Sequence, residues 1–233
     1  MDLKELLSEN PRFHHASHGL VSFRLEDDAL QYIAAHANDQ TRTLETGAGV
    51  STVAFIQLGT YHTCVNPRQD EIERIKAYCK TRSIPLEKAK FIVEKSEYVL
   101  PAIKEEPLDF VLIDGDHKFP IPFLDWYYTA PLVRIGGRVI IDDLQLWTGD
   151  VLRRFLLMED EWMLDRQFER SAAFIKVREG SQAKWWGQQP FVVSMGRPIA
   201  RQFHFQLALR HLARGELYKS AVSLKKVILQ NPF

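Results

Sequence analysis

LDFVLIDGD (108–116) and GGRVIIDD (136–143) are short apolar runs that end in acids, separated by the helix-spaced segment IPFLDWYYTAPLV (121–133). Strands without apolar–polar alternation are buried on both faces, the habit of parallel sheets covered by helices. Outward from this stretch the same alternation recurs. TRTLET (41–46), YHTCVN (61–66) and KFIVEKS (90–96) read as strands, while STVAFIQLG (51–59) and QDEIERIKAYCKTR (69–82) have helical spacing. DVLRRFLLMEDEW (150–162) reads as another helix, and WMLDRQF with SAAFIKVR as an antiparallel hairpin turning at Glu169–Arg170. The alternation predicts a doubly wound α/β fold, a mainly parallel sheet with helices on both faces.

Four segments follow from this pattern. Residues 1–40 read as helical decoration, with Ala29, Ile33 and Ala37 along one stripe, and 41–178 as the α/β domain. Residues 179–199 read as an irregular stretch punctuated by Gly and Pro, and 200–233 as a helical hairpin joined near Gly215. The hairpin resembles a single tetratricopeptide-like unit through Ala208, Leu212, Gly215, Ala221 and the closing Asn231–Pro232. One such unit cannot bury its apolar face alone, so it is expected to dock on the main domain or on a second copy, giving a homo-oligomer.

Composition removes several classes. Hydrophobic residues at 45% and charged residues at 26% fit a globular chain rather than a disordered one. Lys plus Arg (30) equals Asp plus Glu (30), so no basic excess points to nucleic acid. No apolar run reaches the roughly 18 residues of a membrane span, and MDLKELLSENPRFHH does not read as a signal peptide. Cys64 and Cys79 alone cannot build a disulfide framework or a cysteine zinc site, and the cytoplasm is the expected compartment.

Right-handed crossovers place every strand's C-terminal end along one sheet edge, where ligands bind. Glu45, Gly47, Asn66, Ser96, Asp114, Asp116, Asp142 and Asp143 all fall at such ends. In LETGAGVST (44–52), Gly47 and Gly49 permit close backbone approach to a ligand, and the helix opening at Ser51 offers free N–H groups. A tight strand–helix joint has the same look. Thr52 stands where a dinucleotide fingerprint needs its third glycine, which argues against a nicotinamide-linked oxidoreductase.

LETGAGVST resembles the glycine motif of class I S-adenosylmethionine-dependent methyltransferases. DFVLIDGDHKFPIPFLDWYYTAPLVRIGGRVIIDDLQLW (109–147) is similar to the second half of small-molecule O-methyltransferases in that family. The resemblance covers roughly residues 19–178. It implies a Rossmann-like fold and S-adenosylmethionine as cofactor, with Gly47, Ala48 and Gly49 along its methionine part and Glu45 and Ser51 organising the turn. Asn66 stands at the ribose position, Lys95 and Ser96 at the adenine, and Asp114 and Gly115 nearest the transferable methyl. The family's acid at the ribose is here an amide (Asn66), and Lys95 replaces a frequent acid.

Methyl transfer needs an acceptor positioned and stripped of its proton. His117 suits proton abstraction near neutral pH, Lys118 would need a depressed pKa, and both follow Asp114. In metal-dependent relatives three side chains hold Mg²⁺; the matching positions are Asp114, Asp142 and Asp143. The expected activity is methyl transfer to a small-molecule acceptor, at a hydroxyl oxygen. The alternative is a non-catalytic scaffold that uses the C-terminal hairpin for interactions. His14, His15 and His18 read as surface or lid histidines, because no carboxylate pattern beside them completes a metal site. Trp185 and Trp186 read as loop anchors or pocket walls.

Overall fold

A computed structural model describes residues 2–104, 107–180 and 184–228. The chain divides into two compact units, Met1–Gly180 and Ser181–Phe233. The first begins with α1 (Leu3–Glu9), β1 (His14–Ala16), β2 (Gly19–Val21) and α2 (Asp27–His36). It continues through β3 (Arg42–Thr46), α3 (Val50–Gln57), β4 (Tyr61–Val65), α4 (Gln69–Thr81), β5 (Ala89–Ile92) and α5 (Ser96–Val99). It closes with β6 (Leu108–Ile113), α6 (Ile121–Thr129), β7 (Val133–Ile141), α7 (Trp147–Leu156), β8 (Trp162–Gln167) and β9 (Ala172–Lys176).

Seven strands form one sheet in the order β5-β4-β3-β6-β7-β9-β8. The first five in that order run parallel. The β8–β9 hairpin then adds two antiparallel strands beside β7. Successive strand residues point to opposite faces. Phe110 and Leu112 of β6 join a core built with α2, α3 and α4. Val111 and Ile113 enter a second core that includes Leu152 and Leu156 of α7. Each fully buried side chain of this kind contributes about 1.5–3 kcal/mol. This two-sided core holds the strand ends in register. The chain leaves β3 toward β4 on one side and returns to β6 on the other, so the strand order reverses between β3 and β6, where open α/β sheets bind ligands.

Two expected segments differ. Residues 1–40 are not helical throughout: His14–Ala16 pairs with Gly19–Val21 as a hairpin around the left-handed Gly19, whose φ is 112°. In the second unit, helix α8 spans Pro190–Ala213, so the residues from 190 onward are helical rather than irregular. Pro190 sits at the helix start, where its missing N–H leaves no bond unmade. Pro198 lies inside the helix. Breakers are local biases that packing overrides, and here α8 packs on α9 (Leu217–Ile228), with Ser220 Oγ donating to Ala208 O at 3.0 Å. Gly215, with φ 73°, makes the turn between them. The Asn231–Pro232 closure lies outside the described residues. Among the described residues no helix is long and apolar enough to cross a membrane.

Candidate active site

The sheet's hydrogen-bond ladder continues past the strands and lines up the residues at its C-terminal edge. Asn66 N donates to Ile92 O, Asp114 N to Thr46 O and Asp142 N to Ile113 O, each at 3.1 Å. Gly47 has φ 94°, and a Cβ there would overlap the Asp114 carbonyl, so only glycine lets the β3 turn press against the β6 turn. Above these ends lies a cavity of about 560 Å³. Gly47, Ala48, Asn66, Lys95, Ser96, Asp114, Gly115, His117, Asp142 and Asp143 line it.

The turn rests on a buried polar network. Glu45 accepts from Ser51 Oγ at 2.9 Å, from Thr52 Oγ1, and pairs with His62 Nε2 at 3.1 Å. His62 Nδ1 in turn lies 2.7 Å from Thr43 Oγ1. Thr52 Oγ1 also accepts from Gly49 N at 2.8 Å, which is why threonine replaces the third glycine of a dinucleotide motif. Glu45, Gly49 and Ser51 therefore lie behind the cavity wall and shape it. Cys64 is buried and donates through Sγ to Gly47 O at 3.3 Å.

Acids crowd the β6–β7 corner. Burial, then the charges of Asp142, Asp143 and Glu45, push the Asp114 carboxyl well above its ordinary range. Burial chiefly raises Asp142 to about 6, and its Oδ1 has no hydrogen-bond partner among the described residues. Asp143 is handled differently. It adopts φ 53°, a left-handed conformation that is costly for a non-glycine residue, and its Oδ2 lies 2.8 Å from His117 Nε2. That bond holds Asp143 below the usual carboxylate range against the effect of burial. It raises the His117 imidazole above its ordinary value, although burial opposes it. Thr148 Oγ1 donates to His117 O at 2.7 Å and fixes the loop.

The expected metal set is only partly gathered. The groups that come together are Asp114, His117 and Asp143, with one ligand atom of each within 4.8 Å of the others, and Asp142 is not among them. Two carboxylates and an imidazole are not the all-oxygen set that Mg²⁺ prefers. His117 and Asp143 already satisfy each other, so the donor set does not fit Mg²⁺. Lys118 does not suit a base either: its Nζ pairs with Asp116 Oδ2 at 2.6 Å, and that bond raises its pKa.

The ribose corner holds what sequence reasoning missed. Asn66 Nδ2 donates to Glu71 Oε2 at 2.9 Å, so a carboxylate five residues downstream stands beside the amide. Glu71 also meets Arg68 Nε at 2.8 Å and His14 Nδ1 at 3.2 Å. Burial raises Glu71, but the bonds from His14 and Asn66 and the nearby positive charges outweigh it and leave the carboxyl below its usual range. His14 and His15 thus line the cavity from the β1–β2 hairpin, with Glu71 supplying the carboxylate the sequence did not reveal. Phe23, Arg24 and Arg170 also reach the wall. No motif marks them. Trp185 and Trp186 lie against each other within the second unit, their rings tilted by 50° with centroids 4.4 Å apart.

Residues 44–144 match a family described as a methyltransferase domain. No curated protein sequence matches the chain. Among solved structures, a candidate caffeoyl-CoA O-methyltransferase from Staphylococcus aureus is 16% identical, covers 76% of this chain and 92% of its own, and has a TM-score of 0.57. An rRNA methylase from Streptococcus thermophilus is 13% identical over 68% of this chain and 100% of its own, TM-score 0.53. SMU.1697c, a candidate methyltransferase from Streptococcus mutans in complex with SAH, is 11% identical over 67% of this chain and 100% of its own, TM-score 0.51. These likenesses concern the fold alone, a mainly parallel sheet with helices. Residues 44–144 thus match a methyltransferase domain, within a sheet that shares its fold with solved methyltransferases.

Proposed function

We propose that the protein methylates a hydroxyl oxygen of a small-molecule acceptor, with His117 as general base and Asp143 as the residue that orients it. The observation that carries this reading is the 2.8 Å His117–Asp143 pair at the cavity wall beside Asp114. A carboxylate that accepts from one imidazole nitrogen fixes the ring and its tautomer and leaves the other nitrogen to take a proton. His117 Nδ1 is the atom left for the acceptor hydroxyl, whose own pKa is far above neutral (about 10 for a phenol).

S-adenosylmethionine, when bound, supplies an activated methyl group on a positively charged sulfur. Gly47 and Ala48 would take its methionine part, Asn66 its ribose, and Lys95 and Ser96 its adenine. Asp114 and Gly115 would lie nearest the methyl. The acid-crowded corner at Asp114 favours a positive centre, because any cation there relieves the repulsion among the carboxylates. Asn66 and Glu71 together offer an amide and a carboxylate oxygen to the ribose hydroxyls. No step is assigned to a metal ion.

The test is calorimetric and kinetic. S-adenosylhomocysteine should bind in the micromolar range, and turnover with hydroxyl-bearing phenols and alcohols should persist after dialysis against EDTA. Absence of binding would remove the cofactor assignment. Activity restored only by divalent metal would replace the base reading with metal assistance through Asp114, His117 and Asp143.

A further inference from the structure

Two arginines meet on the wall of the cavity, and the fold fixes one of them. Arg170, in the turn between β8 and β9, is half-buried, and both it and Arg24 line the cavity. The Arg170 N–H donates to the Glu26 carboxylate, and the Ser171 hydroxyl donates to Glu26 Oε2 at 3.1 Å. The Arg170 carbonyl accepts from Leu144 N at 2.8 Å. Leu144 directly follows Asp143, the partner of His117. Arg170 therefore stands beyond β7, on the His117–Asp143 side of the cavity, whereas Asn66 and Ser96 follow β4 and β5 at the other end of the sheet. Its guanidinium donates through Nη2 to the carbonyl of Arg24 at 2.9 Å, which brings the two basic residues together.

These charges are not spent on the protein's own acids. Arg24 Nη1 pairs with Asp27, whose side chain is 58% exposed, and a pair of that kind contributes little. Arg170 makes no ion pair among the described residues. A guanidinium placed only to offset the acid corner would bond to Asp142 Oδ1, yet that oxygen has no partner among the described residues. A guanidinium is a planar fork of N–H donors that matches a carboxylate. Of the Arg170 fork, only Nη2 has a protein acceptor among the described residues.

We propose that Arg170, with Arg24 beside it, is the specificity-determining residue for a methyl acceptor that carries a carboxylate. The guanidinium holds the carboxylate while the acceptor's hydroxyl reaches His117 Nδ1. The acceptor class is then a hydroxy acid, with both groups on one small skeleton. A singly charged carboxylate suits this corner better than a phosphate, because Asp114, Asp142 and Asp143 line the same cavity and repel each further negative charge. Holding the acceptor at two points sets its hydroxyl for in-line attack. This rests on the reading above that His117 is the base of a methyl transfer.

The experiment uses the full chain saturated with S-adenosylhomocysteine. Calorimetry measures its affinity for hydroxybenzoates (ortho, meta and para) and for the matching hydroxybenzamides, which differ in charge but hardly in shape. The wild type is expected to bind at least one acid about tenfold or more tighter than its amide, the worth of roughly one charge-assisted hydrogen bond. Arg170→Gln is expected to bring that ratio toward one and to leave the affinity for S-adenosylhomocysteine unchanged. Amides bound as tightly as acids, neither series bound by the loaded protein, or an unchanged ratio in the variant overturns the proposal. A variant that loses affinity for S-adenosylhomocysteine and keeps the ratio overturns it too, since the arginine then serves the cofactor's own carboxylate. If Arg170→Gln does not fold, Arg24→Gln must lower the ratio, and an unchanged ratio overturns the proposal. A wild type that does not bind S-adenosylhomocysteine removes the reading of the site itself, a distinguishable result.

Discussion

His117 Nε2 and Asp143 Oδ2 are 2.8 Å apart, and Asp143 reaches that position in a left-handed backbone conformation with φ 53°. Backbone strain of this kind costs about 1–3 kcal/mol and persists where the surroundings over-determine it. The pair ties the end of β7 to the loop after β6, across the corner where Asp114 and Asp142 repel each other.

Titration should expose the pair. His117 is raised in the folded state, so its contribution to stability is full below the unfolded imidazole pKa and is lost as pH rises through the folded value. Asp143 is lowered, so its contribution is present above the unfolded carboxylate range and is lost as pH falls through the folded value. In an NMR titration the His117 pKa should lie above about 6.5 in the wild type and drop in Asp143→Asn. An identical His117 titration in both proteins would remove the pair. Histidine replacement by Gln should lower turnover about 10²–10⁴-fold with little change in S-adenosylhomocysteine affinity.

Asp142 works against the fold at neutral pH. Its folded pKa of about 6 lies above the unfolded carboxylate value, so folding favours the protonated form. Stability from this group is present below the unfolded value and is lost as pH rises through about 6. Asp142→Asn should therefore raise stability at pH above 7 by on the order of 1–3 kcal/mol and flatten the acid side of the profile. Urea denaturation of both proteins across pH measures this; a destabilised Asn variant at neutral pH would contradict it.

Gly47→Ala should be among the most damaging small changes in the sheet edge. The added methyl meets the Asp114 carbonyl, and the residue must keep φ 94°. A loss of several kcal/mol is expected from overlap and strain combined, with about 2–4 °C in Tm per kcal/mol for a chain of this size. Scanning calorimetry reads the shift, and retention of wild-type Tm would show that the two turns are not in contact.

Glu71 anchors the β1–β2 hairpin through His14. Glu71→Gln removes the charge that His14 and Arg68 share, so amide exchange across residues 14–21 should speed up while β3 and β6 stay protected. Unchanged exchange in the hairpin would mean that its backbone pairing suffices without the carboxylate.

Much of this was legible in the order of residues. Two-sided apolar runs such as Val111–Leu112–Ile113 can be buried only in a covered parallel sheet. The glycines and acids at strand ends then share an edge by chirality alone, which is why Gly47, Asn66, Ser96, Asp114 and Asp143 could be named together. Departures from motif were less informative: Thr52 looked like a missing glycine and is a hydrogen-bonding hub, and Asn66 looked like a lost acid although Glu71 stands beside it.

What tertiary structure alone decided was which of those residues are partners. Local pattern sets strands, turns and their common edge, because backbone geometry and burial repeat with short periods. Pairings between distant segments have no such period. His14 with Glu71 and His117 with Asp143 depend on how a hairpin folds back and on one left-handed residue. Those follow from the packing of the whole sheet on its helices, not from any single stretch of chain.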